Sequence, residues 1–279
     1  MLKLLSAGFF RLWKDKIFWL GFWVLTAFGA LDRIGAFMDP TETHSLEDTF
    51  WIQALVIGFV LAAFISLFVG AEYENGTIRN KIASGHFRSD IYLANVIVCI
   101  VAGWLMCFGC LISSLLVGIP ALGFFHIALS EIFLQGLCVF SLSAAYAAIF
   151  CFIAMLNTNR AVTAIISILL SFLLIFAGTA VADPLNQPQQ YYIPDASLGT
   201  GEIDDGENLK MILNPDYLEG TERRAYEIAF EILPGGQSIQ LSGMLNENCS
   251  YMEMFFASSA WVVLSCGCGL AFFRKKDLR

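Results

Sequence analysis

Charged residues are absent from five long stretches of this chain, 49–71, 91–130, 132–159, 161–182 and 254–273, and from most of a sixth that begins at Ile17. A helix crossing a bilayer needs about 20 predominantly apolar residues, because inside hydrocarbon only its own backbone hydrogen bonds are available. Each stretch is long enough. Asp32 and Arg33 interrupt the first near one end, where adjacent opposite charges can pair or reach the headgroups. The 40-residue run from Ile91 exceeds one crossing. Pro120 and Gly123 inside it predict a span ending near Ile119, followed by a short, partly embedded segment. The pattern therefore predicts six spanning helices, at about 17–37, 51–71, 91–119, 132–155, 161–181 and 254–273. Ala27-Phe28-Gly29 is weakly cleavage-like, but the charged arm before this run is longer than the n-region of a signal peptide, so the run is read as a span.

Between the spans, three pieces have patterns of their own. Residues 1–16 place Lys3, Arg11, Lys14 and Asp15 on one helical face and Leu2, Leu5, Phe9, Leu12 and Trp13 on the opposite one, with Leu4 and Phe10 off the stripe. Such a helix is expected to lie in the membrane interface. The loop 72–90 carries Glu72 and Glu74, then Asn75 and Gly76, a Thr77 able to cap a helix, Ile78 and Ile82 one turn apart with Arg79, Asn80 and Lys81 between them, and Gly85 as a stop before Arg88. A helix of two turns is not stable alone, so the pattern predicts a short helix that packs on a partner. Residues 183–253 are acidic and begin with turn formers. They then offer an amphipathic helix from Thr221 that stops at Leu233-Pro234-Gly235-Gly236, read as a small cap on the outer ends of spans five and six.

Composition sharpens this layout. The chain is 279 residues long, 57% hydrophobic and 14% charged, whereas soluble domains carry about 25% charged residues. The net charge of −8 argues against a nucleic-acid partner. Sorted by side, twelve of the sixteen basic residues fall with the two termini and nineteen of the acids fall opposite. The positive-inside rule then predicts both termini in the cytoplasm. Seven of the eight cysteines lie in apolar runs and read as small hydrophobic residues, not as a disulfide framework.

Several chemistries are missing from the sequence. No Gly-x-x-x-x-Gly-Lys-Ser/Thr loop is present, and His44, His86 and His126 are too scattered for a metal cluster. The span centres lack the ionisable residues that ion-coupled transporters keep there. The expectation is a non-enzymatic pathway without a cofactor or metal of its own, powered from outside.

Glu72-Tyr73-Glu74-Asn75-Gly76-Thr77-Ile78-Arg79-Asn80-Lys81-Ile82, followed by Gly85, Arg88 and Ile91-Tyr92-Leu93, resembles the cytoplasmic loop of ABC-2-type exporter permeases, especially the small bacterial permeases of bacitracin, lantibiotic and multidrug export. Leu233-Pro234-Gly235-Gly236-Gln237 and the closing Phe272-Phe273-Arg274-Lys275-Lys276-Asp277-Leu278 resemble the same group. The resemblance implies an all-α polytopic membrane protein in the bacterial cell membrane. Its parts are an interfacial helix (1–16), five spans with a coupling loop (17–182), an extracellular segment (183–253), and a sixth span with a basic tail (254–279). It implies soluble ATPase subunits, which hold ATP and Mg, as partners, and a second permease chain, identical or different, facing this one. The pair would enclose a cavity lined by spans one, two and five, through which an amphiphilic substrate moves outward. In that family the loop docks in the ATPase with the interfacial helix (here Lys3, Phe9, Arg11, Trp13 and Lys14) beside it. On this basis Ile78 and Ile82 are expected to supply the docking contact, Arg79 and Lys81 to orient it, and Glu72 and Glu74 to hold the loop. Two other classes stay open: a membrane-embedded sensor or scaffold, which would purify without an ATPase, and a lipid- or peptide-modifying enzyme, which would be active alone through an acid such as Glu72.

Overall fold

The structure, a computed structural model, describes residues 1–38, 45–194, 209–215, 217–243 and 250–276. Among these, six helices are long and apolar enough to cross a membrane: α2 (Lys16–Met38), α3 (Gln53–Glu74), α5 (Arg88–Leu122), α6 (Leu129–Leu156), α7 (Arg160–Leu185) and α10 (Tyr251–Lys275). The six-span reading of the sequence is thus met helix for helix. Shorter helices are α1 (Leu2–Lys14), α4 (Thr77–Ala83), α8 (Gly220–Ile232) and α9 (Pro234–Leu241), and β1 (Gln190–Pro194) pairs antiparallel with β2 (Leu209–Leu213).

α3, α5 and α6 form the buried centre, with α2, α7 and α10 around them exposing far more of their surface. Lipid is as apolar as leucine, so close packing, not hydrophobicity, must hold such helices together. The long contact between α2 and α5 follows that rule. A Cβ on Gly29 would come within 2.6 Å of the Cys110 sulfur, and one on Gly109 within 2.6 Å of the Thr26 hydroxyl. Cys99, Cys107, Cys110, Cys138 and Cys151 are buried as free thiols, in keeping with their reading as small apolar residues; Cys249 and His44 lie outside the described residues.

Four local expectations are corrected. α5 does not end near Ile119 but runs through Pro120 to Leu122, at the loss of the one ladder hydrogen bond that the Pro120 nitrogen cannot donate. Thr77 does not cap α4. Gly76 holds the N-cap position at φ 65°, and Thr77 is the first helical residue. Leu4 is not off the apolar stripe of α1. It is buried with Leu12, and Gly8 between them lets Val98 of α5 come within 2.8 Å of where a Cβ would stand. α1 therefore packs on α5 and turns Leu2, Phe10 and Trp13 outward. A break at Asp15 separates it from α2, and the Asp15 carboxylate accepts from the Ile17 and Phe18 N–H groups at 2.7 and 3.0 Å, capping the second helix.

The fourth correction concerns the segment before α10. Besides the unforeseen β1–β2 hairpin, the stop at Leu233-Pro234 is followed by a second helix, α9, every residue of which is buried. α8, the amphipathic helix of the expected cap, does lie against α7 and α10, the fifth and sixth spans; α9 does not cap them. It is wedged among α3, α6, α7 and α8, with the Ser238 hydroxyl 3.0 Å from that of Tyr146 in the middle of α6. Pro234 suits the first helical position, where its missing N–H would be unpaired in any case. Gln237 is fully buried but satisfied: its amide donates to the Glu231 and Met254 carbonyls at 2.6 and 3.2 Å and accepts from the Ser258 hydroxyl at 2.5 Å.

Candidate functional site

α1, α4, the α6–α7 turn and the end of α10 all meet at one end of the bundle, where most of the residues singled out by sequence are found. Glu72, in the last turn of α3, is 2% exposed. One carboxylate oxygen accepts from both the Arg11 guanidinium of α1 and the Lys81 ammonium of α4; the other accepts from the Asn95 amide of α5 at 2.9 Å. A buried carboxylate is tolerable only when charge and hydrogen bonds replace its water, and here three other elements, α1, α4 and α5, each contribute to that replacement. The Arg11 guanidinium also lies 3.8 Å from the centre of the Phe68 ring. Glu72 thus ties α4 to α1 and α5, and Asn95 is a member of the cluster that sequence reading missed.

Glu74 plays a lesser part. It is exposed and pairs with exposed Arg160 at 3.0 Å, an arrangement worth at most about 1 kcal/mol. Arg88 faces away from α4: its guanidinium donates to the carbonyls of Arg274 at 3.2 Å and Lys276 at 2.5 Å, closing the C-terminus of α10. Gly85, at φ 84°, makes the turn between α4 and α5.

The expected docking pair is corrected by packing. Ile78 is 1% exposed and belongs to the core of the bundle, and Ile82 packs against that core. Two turns of helix have one apolar face, and this protein's own spans cover it. Exposed instead are Arg79, Asn80, Ala83 and Ser84, and beyond Gly85 stands Phe87, 75% exposed. Sequence reading gave Phe87 no role. An aromatic residue directly before a spanning helix in an otherwise polar loop is the signal that could have found it. On α1, Lys3, Trp13 and Lys14 are exposed and Phe9 is half-buried, while Arg11 turns inward to Glu72.

Lys276, just past α10, closes this end of the bundle. Its ammonium donates to the Met155 carbonyl at 3.1 Å and lies 4.1 Å from the centre of the Tyr73 ring. Burial pushes its pKa down to about 8 from an ordinary lysine value of about 10.4. The docked state therefore favours the neutral amine. Docking carries a penalty below pH 8 that is relieved as pH rises from about 8 toward 10. An NMR titration of ¹³C-methylated lysines should show one resonance with a midpoint near 8 that is lost in Lys276→Gln; a chain whose lysines all titrate near their ordinary value would contradict the packing.

Among the described residues no cluster of three or more His, Cys, Asp or Glu side chains could hold a metal ion. Compared with known proteins, the chain matches no family model and no curated protein.

Proposed function

We propose that this chain is the membrane subunit of an ATP-driven exporter, coupled through α4 and Phe87 to a separate soluble ATPase that holds the ATP and Mg. The observation that carries the reading is the two-sidedness of α4. Its inner side is fixed by Ile78 in the core and by Lys81 on Glu72; its outer side presents Arg79, Asn80 and Ser84, with Phe87 projecting beside them. A push on such a helix passes through Glu72 to α1, α3 and α5 at once. A lone exposed aromatic ringed by polar groups has the composition of an anchor for a partner's pocket. In this reading both termini are cytoplasmic, the host membrane is the bacterial cell membrane, and two permease chains face each other, with an amphiphile expelled when the ATPases close.

Phe87→Asp is the discriminating substitution, because Phe87 is exposed and its loss leaves the core intact. The variant should insert and unfold like the parent but fail to co-purify with an ATPase in mild detergent. Loss of an anchoring aromatic typically costs 2 kcal/mol or more, roughly thirtyfold in affinity. An ATPase that stays bound to Phe87→Asp would overturn the docking assignment. A parent chain that purifies without any ATPase would favour the sensor or scaffold class. Ile78→Asp, by contrast, should prevent folding outright.

A further inference from the structure

At the opposite end, in the half of the bundle that holds α9, a cavity of about 1030 Å³ opens between α5, α6 and α10. Its lining is apolar and largely aromatic, with Trp104 and Phe108 from α5, Phe133 and Phe140 from α6, and Phe255 and Val263 from α10. Phe108, Phe133 and Val263 are exposed, so the cavity opens sideways, where a membrane would cover the bundle. Its size matches the upper end of small-molecule sites, about 1,000 Å³.

Trp51 forms its roof. The indole N–H donates to the Gln135 side-chain oxygen at 3.1 Å, and the Gln135 amide donates to the Tyr251 hydroxyl at 3.0 Å. Above this shelf lies a second space of about 200 Å³, also bordered by Trp51 but walled by Glu47, Asp48 and Glu131. His126 is exposed and stands 3.3 Å from Glu47. An oily chamber and an acidic vestibule thus share one tryptophan wall. A molecule spanning both gains from burying an apolar body below and from placing positive charge above. An anion with the same tail would be repelled at the carboxylates, and an uncharged one would gain only the burial.

We infer that these adjoining spaces bind an amphiphilic cation, a long-chain alkylammonium in chemical terms, with its chain between α5, α6 and α10 and its head beside Trp51, turned toward Glu47 and Glu131. This rests on the exporter reading only for the class of molecule carried. The site lies between the third, fourth and sixth spans, apart from the pathway the resemblance implies for spans one, two and five, and binding needs no ATPase and can be measured on this chain alone.

The test uses the full chain in phosphatidylcholine nanodiscs and three twelve-carbon probes brominated at the chain end: a trimethylammonium, an alcohol and a sulfate. Bromine beside Trp104 quenches its fluorescence. The cation should quench saturably and bind about tenfold tighter than the alcohol, with the sulfate weakest. Glu47→Gln with Glu131→Gln should abolish that tenfold preference and leave the alcohol unchanged, while Ser259→Leu, which narrows the chamber, should weaken both. Equal quenching by all three probes, a preference that survives the double substitution, or no saturation would overturn the proposal. Cation binding to a chain that recruits no ATPase would sink the exporter reading alone. ATPase recruitment without cation preference would sink this inference alone.

Discussion

Gly235→Ala should be among the most damaging additions of a single methyl group to this protein. A Cβ at Gly235 would lie 1.8 Å from the Leu174 carbonyl oxygen and 2.4 Å from its carbon, both backbone atoms in the middle of α7. A side chain in the way can rotate, but a helix backbone cannot yield without moving the helix. On the other side of the same contact, a Cβ on Gly178 would lie 2.5 Å from the Gly235 backbone, so α7 and α9 touch main chain to main chain. Overpacking typically costs 1–3 kcal/mol where side chains can adjust; with backbone on both sides the expected cost is about 3 kcal/mol or more. At about 2–4 °C per kcal/mol for a chain of this size, the apparent unfolding temperature should fall by roughly 6–12 °C. The five buried thiols supply the assay, since a thiol-reactive dye reports their exposure on heating. Gly267→Ala is the control, because nothing lies within 4 Å of its Cβ position. Similar behaviour of the two variants would mean that α9 is not seated against α7 as described.

The second large effect is expected at Glu72. Glu72→Gln keeps the shape of the side chain and can keep the Asn95 hydrogen bond, but it removes the one charge that Arg11 and Lys81 share. Removing one partner of a buried ion pair costs about 3–5 kcal/mol. Arg11 and Lys81 are 31% and 19% exposed and can turn partly to water, which lowers the expectation to about 2–3 kcal/mol. The unfolding temperature should then drop by roughly 4–12 °C. Arg11→Gln should cost less, because Lys81 and Asn95 still satisfy the carboxylate. The double variant should cost clearly less than the sum of the singles, as residues sharing one network do. Strict additivity would show that Arg11 and Glu72 do not act as a pair.

How far the sequence alone led depends on which force built each part. The six spanning helices were legible because each is dictated locally, by a run of apolar residues that can satisfy its backbone only as a helix. The stop of α4 was legible for the same reason, since Gly85 adopts the positive φ that glycine tolerates best, whereas its start was assigned to Thr77 when Gly76 holds the N-cap position. What failed was facing. Ile78 and Ile82 were read as reaching for another protein because an amphipathic pattern records an apolar face without recording what covers it. α9 failed for a related reason. Pro-Gly-Gly followed by Gln-Ser-Ile-Gln reads as a loop, and its burial depends on glycines that admit α7 and on acceptors from α8 and α10 far along the chain. The Glu72 cluster was half legible: the carboxylate and Lys81 stand in the motif, but the Arg11 guanidinium and the Asn95 amide that complete it come from α1 and α5.

The buried polar helix α9 also constrains how the protein is made. A segment with three glutamine or serine side chains in eight residues is a poor candidate for insertion into hydrocarbon by itself. Its amide partners at Met254 and Ser258 lie in α10, which is synthesised after it. The hydrogen bonding of α9 is therefore complete only once the last span is in place. Completion of the bundle is in this sense a late event of biogenesis, and a chain cut short before α10 would keep every earlier span yet leave a hole where its polar keystone belongs.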